Sequence, residues 1–205
     1  MVFHHTHYLR FIGNVVYNVM GGAVFVENGN EMHNEITYNM ASFVKSSTSL
    51  LNDDITPATI WITNPNNLVA HNSVGGSTHF GIWYRMNEHP EDTSYDPNVC
   101  PDFQSFGTYT NNTVHSCGWF GLWVFENYFP HAGESCDRDT PTVAKFENSN
   151  YWRLDKGIEF FETGAMQAVN SVIAETQHAG LEWKRVWGTN WGDDGAMIVN
   201  TVWFS

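Results

Sequence analysis

The chain has 205 residues, a formal net charge of −13, and equal shares of aromatic and charged residues, 15% each. So negative a protein is repelled by nucleic acid and by anionic membranes, and no apolar run approaches the roughly 20 residues of a membrane span. We therefore expect neither a nucleic-acid partner nor membrane insertion by this segment. Because few residues are charged, Asn, Thr, Ser and His must fill the surface, which is typical of an extracellular β protein.

A short phrase recurs along the chain: an Asn, then eight to ten residues later a Gly that opens an aromatic and aliphatic strand. The phrase begins at Asn14, Asn72, Asn112, Asn148, Asn170 and Asn200, and its glycines are Gly22, Gly81, Gly121, Gly157 and Gly180. Each unit holds short strands and no stretch long enough for a helix. The repeat predicts an all-β solenoid.

The strands of the repeat have two different sides. After Gly121, the side chains of Leu122 and Val124 point one way, and those of Trp123 and Phe125 point the other. One set can line a core while the other faces outward. The repeated Asn can adopt the left-handed backbone of a tight corner, and stacked Asn side chains can form a hydrogen-bonded ladder between coils. The alternative is that Asn only marks surface turns.

A single elongated domain over residues 1–205 is the expected organisation, because no Pro/Gly/Ser-rich linker divides the chain. Insertions are predicted at about 45–65, 86–106 and 127–142. The chain stops within a strand-like segment after Val202. We therefore expect a fragment of a larger ectodomain, whose flanking parts would cap the solenoid.

The three cysteines match no zinc or redox spacing, so no metal ligand set is predicted. Cys100 and Cys136 lie in insertions that each follow a Gly-x-Trp strand. Such insertions leave the same corner of successive coils, which predicts a Cys100–Cys136 disulfide. Cys117 lies within a repeat, where we expect a buried free thiol.

Several segments, including some outside the repeat, resemble the parallel β-helix region of the fibrocystin and fibrocystin-L family. They are residues 13–18 (GNVVYN), 46–52 (SSTSLLN), 55–58 (ITPA), 75–85 (GGSTHFGIWYR), 88–90 (EHP) and 115–123 (HSCGWFGLW). The likeness runs from about Asn14 past Trp123, and more weakly to Trp183. It implies a right-handed parallel β-helix from a large secreted or surface protein, related to G8-domain cell-surface hyaluronidase-like proteins. No G8 domain is visible in the sequence, so activity does not follow from the fold.

A polar and aromatic constellation follows Gly75 and returns one coil later. The candidate catalytic residues are His79, Arg85, Glu88 and His115, and the candidate binding residues are Trp83, Tyr84, His89, Trp119 and Trp123. Aromatic rings can stack on sugars, Arg can hold a carboxylate, and Glu or His can transfer protons. Alternatively, Trp83 and Trp123 are packing residues, and Arg85 pairs with Glu88 to clamp a loop.

Two functions fit these features. The first is a noncatalytic extracellular module, secreted or part of a surface ectodomain, that spaces neighbouring domains of its own chain and binds a glycan or an extracellular protein. The second is a polysaccharide-active hydrolase or lyase with a groove along the helix, although the paired acids Asp53-Asp54 and Glu91-Asp92 lie in turn-like insertions. No cofactor is expected, and calcium is the one ion left open. Asn111, in the sequence Asn111-Asn112-Thr113, is the predicted glycosylation acceptor.

Overall fold

The regular secondary structure of the described residues is β-strand, apart from two short 3₁₀ turns. The computed structural model describes residues 1–48, 55–188 and 194–204. In chain order the strands are β1 (Val2–Phe3), β2 (Arg10–Ile12), β3 (Val15–Tyr17), β4 (Val24–Val26), β5 (Glu35–Thr37), β6 (Met40–Ser42), β7 (Ala58–Ile62), β8 (Leu68–Ala70), β9 (Ser73–Gly75), β10 (Phe80–Tyr84), β11 (Thr108–Thr110), β12 (Thr113–His115), β13 (Phe120–Tyr128), β14 (Ala144–Glu147), β15 (Asn150–Thr163), β16 (Met166–Val169), β17 (Val172–Val186), β18 (Met197–Val199) and β19 (Val202–Phe204).

Parallel pairing between successive coils arranges these strands in three faces. Face A contains β1, β4, β7, β10, β13 and the C-terminal halves of β15 and β17. Face B contains β3, β6, β9, β12, the N-terminal halves of β15 and β17, and β19, while face C contains β2, β5, β8, β11, β14, β16 and β18. The chain passes from face C to B to A in each coil, and the predicted parallel β-helix is confirmed.

The core is built from columns of identical or similar side chains, one from each coil. On face A, Ile60, Ile82, Leu122 and Ile158 are cross-coil partners and are completely or almost completely buried. Fully burying each such side chain stabilises the fold by about 1.5–3 kcal/mol. Leu122 and Val124 point inward, while Trp123 and Phe125 lie on the outer side, as the alternation of the sequence predicts.

Two adjacent residues form the corner between faces C and B. One has the left-handed backbone expected of Asn, and the other forms the expected hydrogen-bonded ladder. The first position has a left-handed backbone, with φ between 48° and 69°, in Gly13, Tyr38, His71, Asn111, Asn148, Asn170 and Asn200. The next position points into the corner and forms the ladder. Asn14, Asn72 and Asn112 of the repeated phrase therefore belong to the ladder, whereas Asn148 and Asn170 occupy the left-handed position.

The Asn ladder is continuous through four coils. The Nδ2 of Asn14 donates to the Oδ1 of Asn39 at 3.0 Å, Asn39 donates to Asn72 at 3.0 Å, and Asn72 donates to Asn112 at 3.1 Å. The backbone amide of Asn112 then donates to Ser149 Oγ at 3.1 Å. The ladder identifies a coil at Asn39 that the sequence phrase does not show.

The predicted insertions need one correction. The segment predicted at 45–65 includes β7, whose residues Ala58–Ile62 form a fully buried strand of face A. Residues 49–54, which include Asp53 and Asp54, lie outside the described residues. The insertion at 86–106 contains two 3₁₀ turns, Asp92–Ser94 and Pro101–Phe103, and the segment predicted at 127–142 begins within β13.

The two insertions on face A are covalently joined. Cys100 and Cys136 form a disulfide with a Cα–Cα distance of 5.0 Å, and Cys117 is a buried free thiol. Burial raises the pKa of Cys117 to about 12, so this thiol stays protonated and unreactive. Both predictions for the cysteines are confirmed.

Replacing both Cys100 and Cys136 with serine should lower the free energy of unfolding by about 2 kcal/mol. The value lies at the low end for a disulfide because the bond joins two surface insertions and not the coils themselves. Denaturant unfolding measures this loss. A reducing agent should destabilise the wild-type protein by the same amount and leave the double variant unchanged. Equal stability of oxidised and reduced wild-type protein would contradict the prediction.

Candidate functional site

The outer side of face A carries a stack of aromatic rings. Phe25, Trp61, Trp83 and Trp123 are cross-coil partners in register. Their ring centroids are separated by 5.1, 4.2 and 4.6 Å along this series. Parallel β-strands with matching side chains on one face bring such rings together without any loop. The stack is therefore fixed by the same register that builds the core.

The middle of this stack is covered, and its two ends, Phe25 and Trp123, are half-buried. Trp61 and Trp83 are 2% and 7% exposed, whereas Trp119 is 45% exposed and Trp123 is half-buried. We define the aromatic platform as Trp119, Phe120, Trp123 and Phe125, at the start of β13 and just before it. The Trp123 ring lies 5.3 Å from Phe120 and 4.5 Å from Phe125. The platform combines the Trp123 end of the stack with the exposed ring of Trp119.

Charged side chains border the platform on the next coils. Trp123 Nε1 donates to Glu159 Oε1 at 2.9 Å, and Lys156 Nζ lies 2.5 Å from both Glu159 and Glu182. Hydrogen bonds from Lys156 and then from Lys184 lower the pKa of Glu182 to about 2. Neither acid was among the site residues predicted from the sequence. The pairing of their strands with the strand of Trp123 is the feature that would have located these acids in the site.

The candidate catalytic residues do not form one site. His79 immediately precedes β10 and Arg85 follows it, so about 20 Å of strand separates them. His79 lies edge-on to Trp119 at 4.7 Å, and partial burial lowers its pKa. The Arg85 guanidinium lies 5.9 Å from the centre of the Trp61 ring. Arg85 also forms no ion pair with Glu88 among the described residues, so the loop-clamp alternative is wrong.

The other two candidates belong to different surroundings. His115 ends β12 on face B, where its ring stacks on Trp152 at 4.6 Å. Burial, and then the charge of Arg153, lower its pKa. Glu88 is exposed in the first insertion. The predicted grouping of His79, Arg85, Glu88 and His115 is therefore not observed.

The remaining predicted binding residues differ in accessibility. Tyr84 is fully buried in the core and Trp83 is covered by its neighbours in the stack, so neither offers a surface to a ligand, which corrects their expected role. His89 is half-buried, and its Nδ1 lies 3.0 Å from the Val99 carbonyl oxygen. Asn111 is exposed at a corner with φ 55°. Its glycosylation stays a prediction.

Stacked parallel coils, an internal Asn ladder and an outward aromatic stack define a parallel β-helix domain. The chain belongs to the CEMIP beta-helix family, whose model matches residues 1–122. The expected relationship to fibrocystin-L is also confirmed: the Homo sapiens and Mus musculus proteins are 49% and 48% identical over 201 residues.

That alignment covers 96% of this chain but only 5% of each fibrocystin-L. The chain therefore spans about one twentieth of the length of these relatives. A more distant relative is "Cell surface hyaluronidase CEMIP2" of Homo sapiens, 26% identical over 147 residues, which are 59% of this chain and 11% of that protein. Within the described ranges, no helix is long and apolar enough to cross a membrane.

Proposed function

We propose that this chain is a noncatalytic β-helical module of an extracellular protein and that it binds carbohydrate through the aromatic platform. The observation that carries the proposal is the exposed ring of Trp119 at the Trp123 end of the aromatic stack, where the platform lies beside Lys156 and Glu159. Indole rings offer flat apolar surface to the C–H faces of a sugar. Glu159 is buried and fixes the Trp123 ring, whereas the partly exposed Lys156 and Glu182 at the edge can bind the hydroxyls of the sugar. The rest of the β-helix acts as a rigid scaffold between neighbouring domains.

The arrangement of acids supports binding without catalysis. Glycoside hydrolysis needs one carboxyl that is protonated and a second that is ionised. The two oxygens of the buried Glu159 are held by Trp123 and Lys156, and the lowered pKa of Glu182 keeps that group ionised, so neither acid is available as the protonated carboxyl. The net charge of −13 favours a neutral glycan over a polyanion.

The extracellular setting rests on different observations. The Cys100–Cys136 disulfide is stable in an oxidising compartment. The name of one relative places that hyaluronidase at the cell surface. Because fibrocystin-L is about twenty times longer than this chain, neighbouring domains of one polypeptide are further partners in the proposal.

Titration with a neutral chitin hexasaccharide and with a hyaluronan decasaccharide tests the proposal. We expect the neutral sugar to bind more tightly, and Trp123→Ala to weaken its binding about tenfold, or about 1.4 kcal/mol. Trp187→Ala is the matched control because Trp187 is 50% exposed outside the platform. Similar losses in both variants, or no binding of either sugar, would contradict the platform.

The same samples distinguish the enzymatic alternative. After prolonged incubation, we expect both oligosaccharides to be recovered at full length. Cleavage that disappears in His79→Ala or Arg85→Ala protein would replace the noncatalytic proposal with a polysaccharide-active enzyme.

A further inference from the structure

The two disulfide-linked insertions line an open pocket of about 1160 Å³, which shares no residue with the aromatic platform. We call it the inter-insertion pocket. One wall comes from the first insertion, including Asn87, Glu88, Asp102 and Phe103, and the other from residues between the end of β13 and Arg138. The Cys100–Cys136 bond holds the two walls together.

One acid in this pocket is buried, and one of its two carboxyl oxygens has no hydrogen-bond partner among the described residues. Asp102 is 7% exposed, and its Oδ1 accepts no hydrogen bond in the described part of the chain. Burial raises the pKa of Asp102 to about 6. The neighbouring Asn87 Nδ2 is a buried donor that also lacks a partner there, and the Asp102 amide donates to the Asn87 carbonyl at 3.3 Å. An unpaired acceptor and an unpaired donor therefore line the same pocket, and leaving such groups unpaired is unfavourable.

The charge of the pocket selects a cation. Its other carboxylates are Glu88, Glu91, Asp92 and Glu126, and its one guanidinium belongs to Arg138. Arg138 lies over the Phe103 ring, 4.1 Å from the centroid. Tyr95 and Phe129 also line the pocket. Carboxylates beside aromatic faces suit a guanidinium or an ammonium group, which both surfaces attract.

The spacing of the ligand atoms argues against a metal ion. Calcium needs six to eight oxygens within about 2.6 Å. Across the described ranges, the one group of three His, Cys, Asp or Glu side chains with ligand atoms within 4.8 Å is His89, Cys100 and Cys136. Its two sulfurs are already bonded to each other. The pocket carboxylates are thus too dispersed to enclose an ion, but they can surround a larger organic cation.

We propose that the inter-insertion pocket binds the basic side chain of a partner polypeptide. Asp102 accepts hydrogen bonds from the guanidinium or ammonium group, and the Asn87 amide donates to a nearby carbonyl of the same peptide. Arginine fits better than lysine because its planar donors can pair with a carboxylate and stack on an aromatic ring at the same time.

The probes are a peptide, acetyl-Gly-Arg-Arg-Gly-amide, and its uncharged isostere with citrulline at both Arg positions. Calorimetric titration at low salt and pH 7.5 should show at least tenfold tighter binding of the Arg peptide. Asp102→Asn should weaken that binding at least tenfold, and Glu88→Gln about threefold. Asp139→Asn is the matched control, since this exposed acid of the second insertion does not line the pocket, and it should change affinity less than twofold.

The pH dependence supplies a second readout. Binding by wild-type protein should weaken from pH 7.5 to 5 as Asp102 becomes protonated, and Asp102→Asn should remove most of that dependence. The groups that face Asp102 are Glu88, His89 and Arg138, with Glu91, Asp92 and Glu126 also in the pocket. Any dependence that persists in Asp102→Asn protein belongs to these groups.

Four outcomes would overturn the proposal. The first is equal binding of the Arg and citrulline peptides, or no binding of either. The second is a loss in Asp139→Asn as large as that in Asp102→Asn. The third is calcium chloride binding that depends on Asp102 and that the Arg peptide does not displace. Free spermidine binding as tightly as the peptide would also remove the polypeptide as the partner, because it would show that charge alone suffices.

Discussion

Asn72→Ala should destabilise the protein by about 4 kcal/mol, the largest effect that we expect from a single substitution. The Asn72 side chain donates to the Ile36 carbonyl at 2.8 Å and to Asn112 Oδ1 at 3.1 Å. Its Oδ1 accepts from the backbone amide and the side chain of Asn39, at 3.1 and 3.0 Å. Alanine removes all four hydrogen bonds and leaves the buried backbone amide of Asn39 without its partner. The neighbouring coils then lose their side-chain connection at this corner, although their strands stay paired.

Denaturant unfolding followed by tryptophan fluorescence measures this loss. Asn170→Gly is the matched control, because Asn170 is an exposed corner residue with φ 49° and glycine keeps its left-handed backbone. We expect a change below about 1 kcal/mol in the control. Comparable losses in the two variants would show that the ladder position contributes no more than an ordinary corner.

The sequence predicts the coils through residues that repeat, and it misses those that do not. The coil at Asn39 escapes notice because its face A strand, β7, begins with Ala58 and lacks the repeated Gly. The repeated glycines Gly81, Gly121, Gly157 and Gly180 form a glycine column from coil to coil. The sequence phrase also includes Gly22, but the pairing of Val24 with Ile60 puts Ala23 in this column, opposite Thr59. Unequal coil lengths hide such one-residue shifts, and hydrogen-bond register reveals them.

The sequence predicts the site only where side chains alternate between the inside and the outside along one strand. Trp123 was expected to lie outside the core because Leu122 and Val124 lie inside it. Glu159 was not placed beside Trp123, because that contact depends on the register between coils 36 residues apart. The burial of Asp102 depends on how two insertions fold against each other, and neither insertion has a periodic pattern. Local periodicity thus predicts the scaffold, while contacts between coils and insertions determine the candidate sites.

Gly157→Ala should lower the free energy of unfolding by about 3 kcal/mol, because its place in the glycine column leaves no room for a methyl group. A Cβ at this position would lie 2.5 Å from the Gly180 carbonyl oxygen and 2.6 Å from Ile173 Cγ2. The backbone oxygen cannot move without shifting the next coil.

Gly22→Ala is the matched control for this prediction, because Gly22 lies one position outside the column. Its added Cβ would meet nothing closer than the Ala58 carbonyl oxygen at 3.5 Å. We expect the control to change stability by less than about 0.5 kcal/mol, and chemical denaturation of both variants provides the comparison. If Gly157→Ala were as stable as Gly22→Ala, the close approach of the coils at this corner would not be the reason for the repeated glycine. If only Gly157→Ala is destabilised, close packing between neighbouring coils explains why glycine recurs at Gly81, Gly121, Gly157 and Gly180.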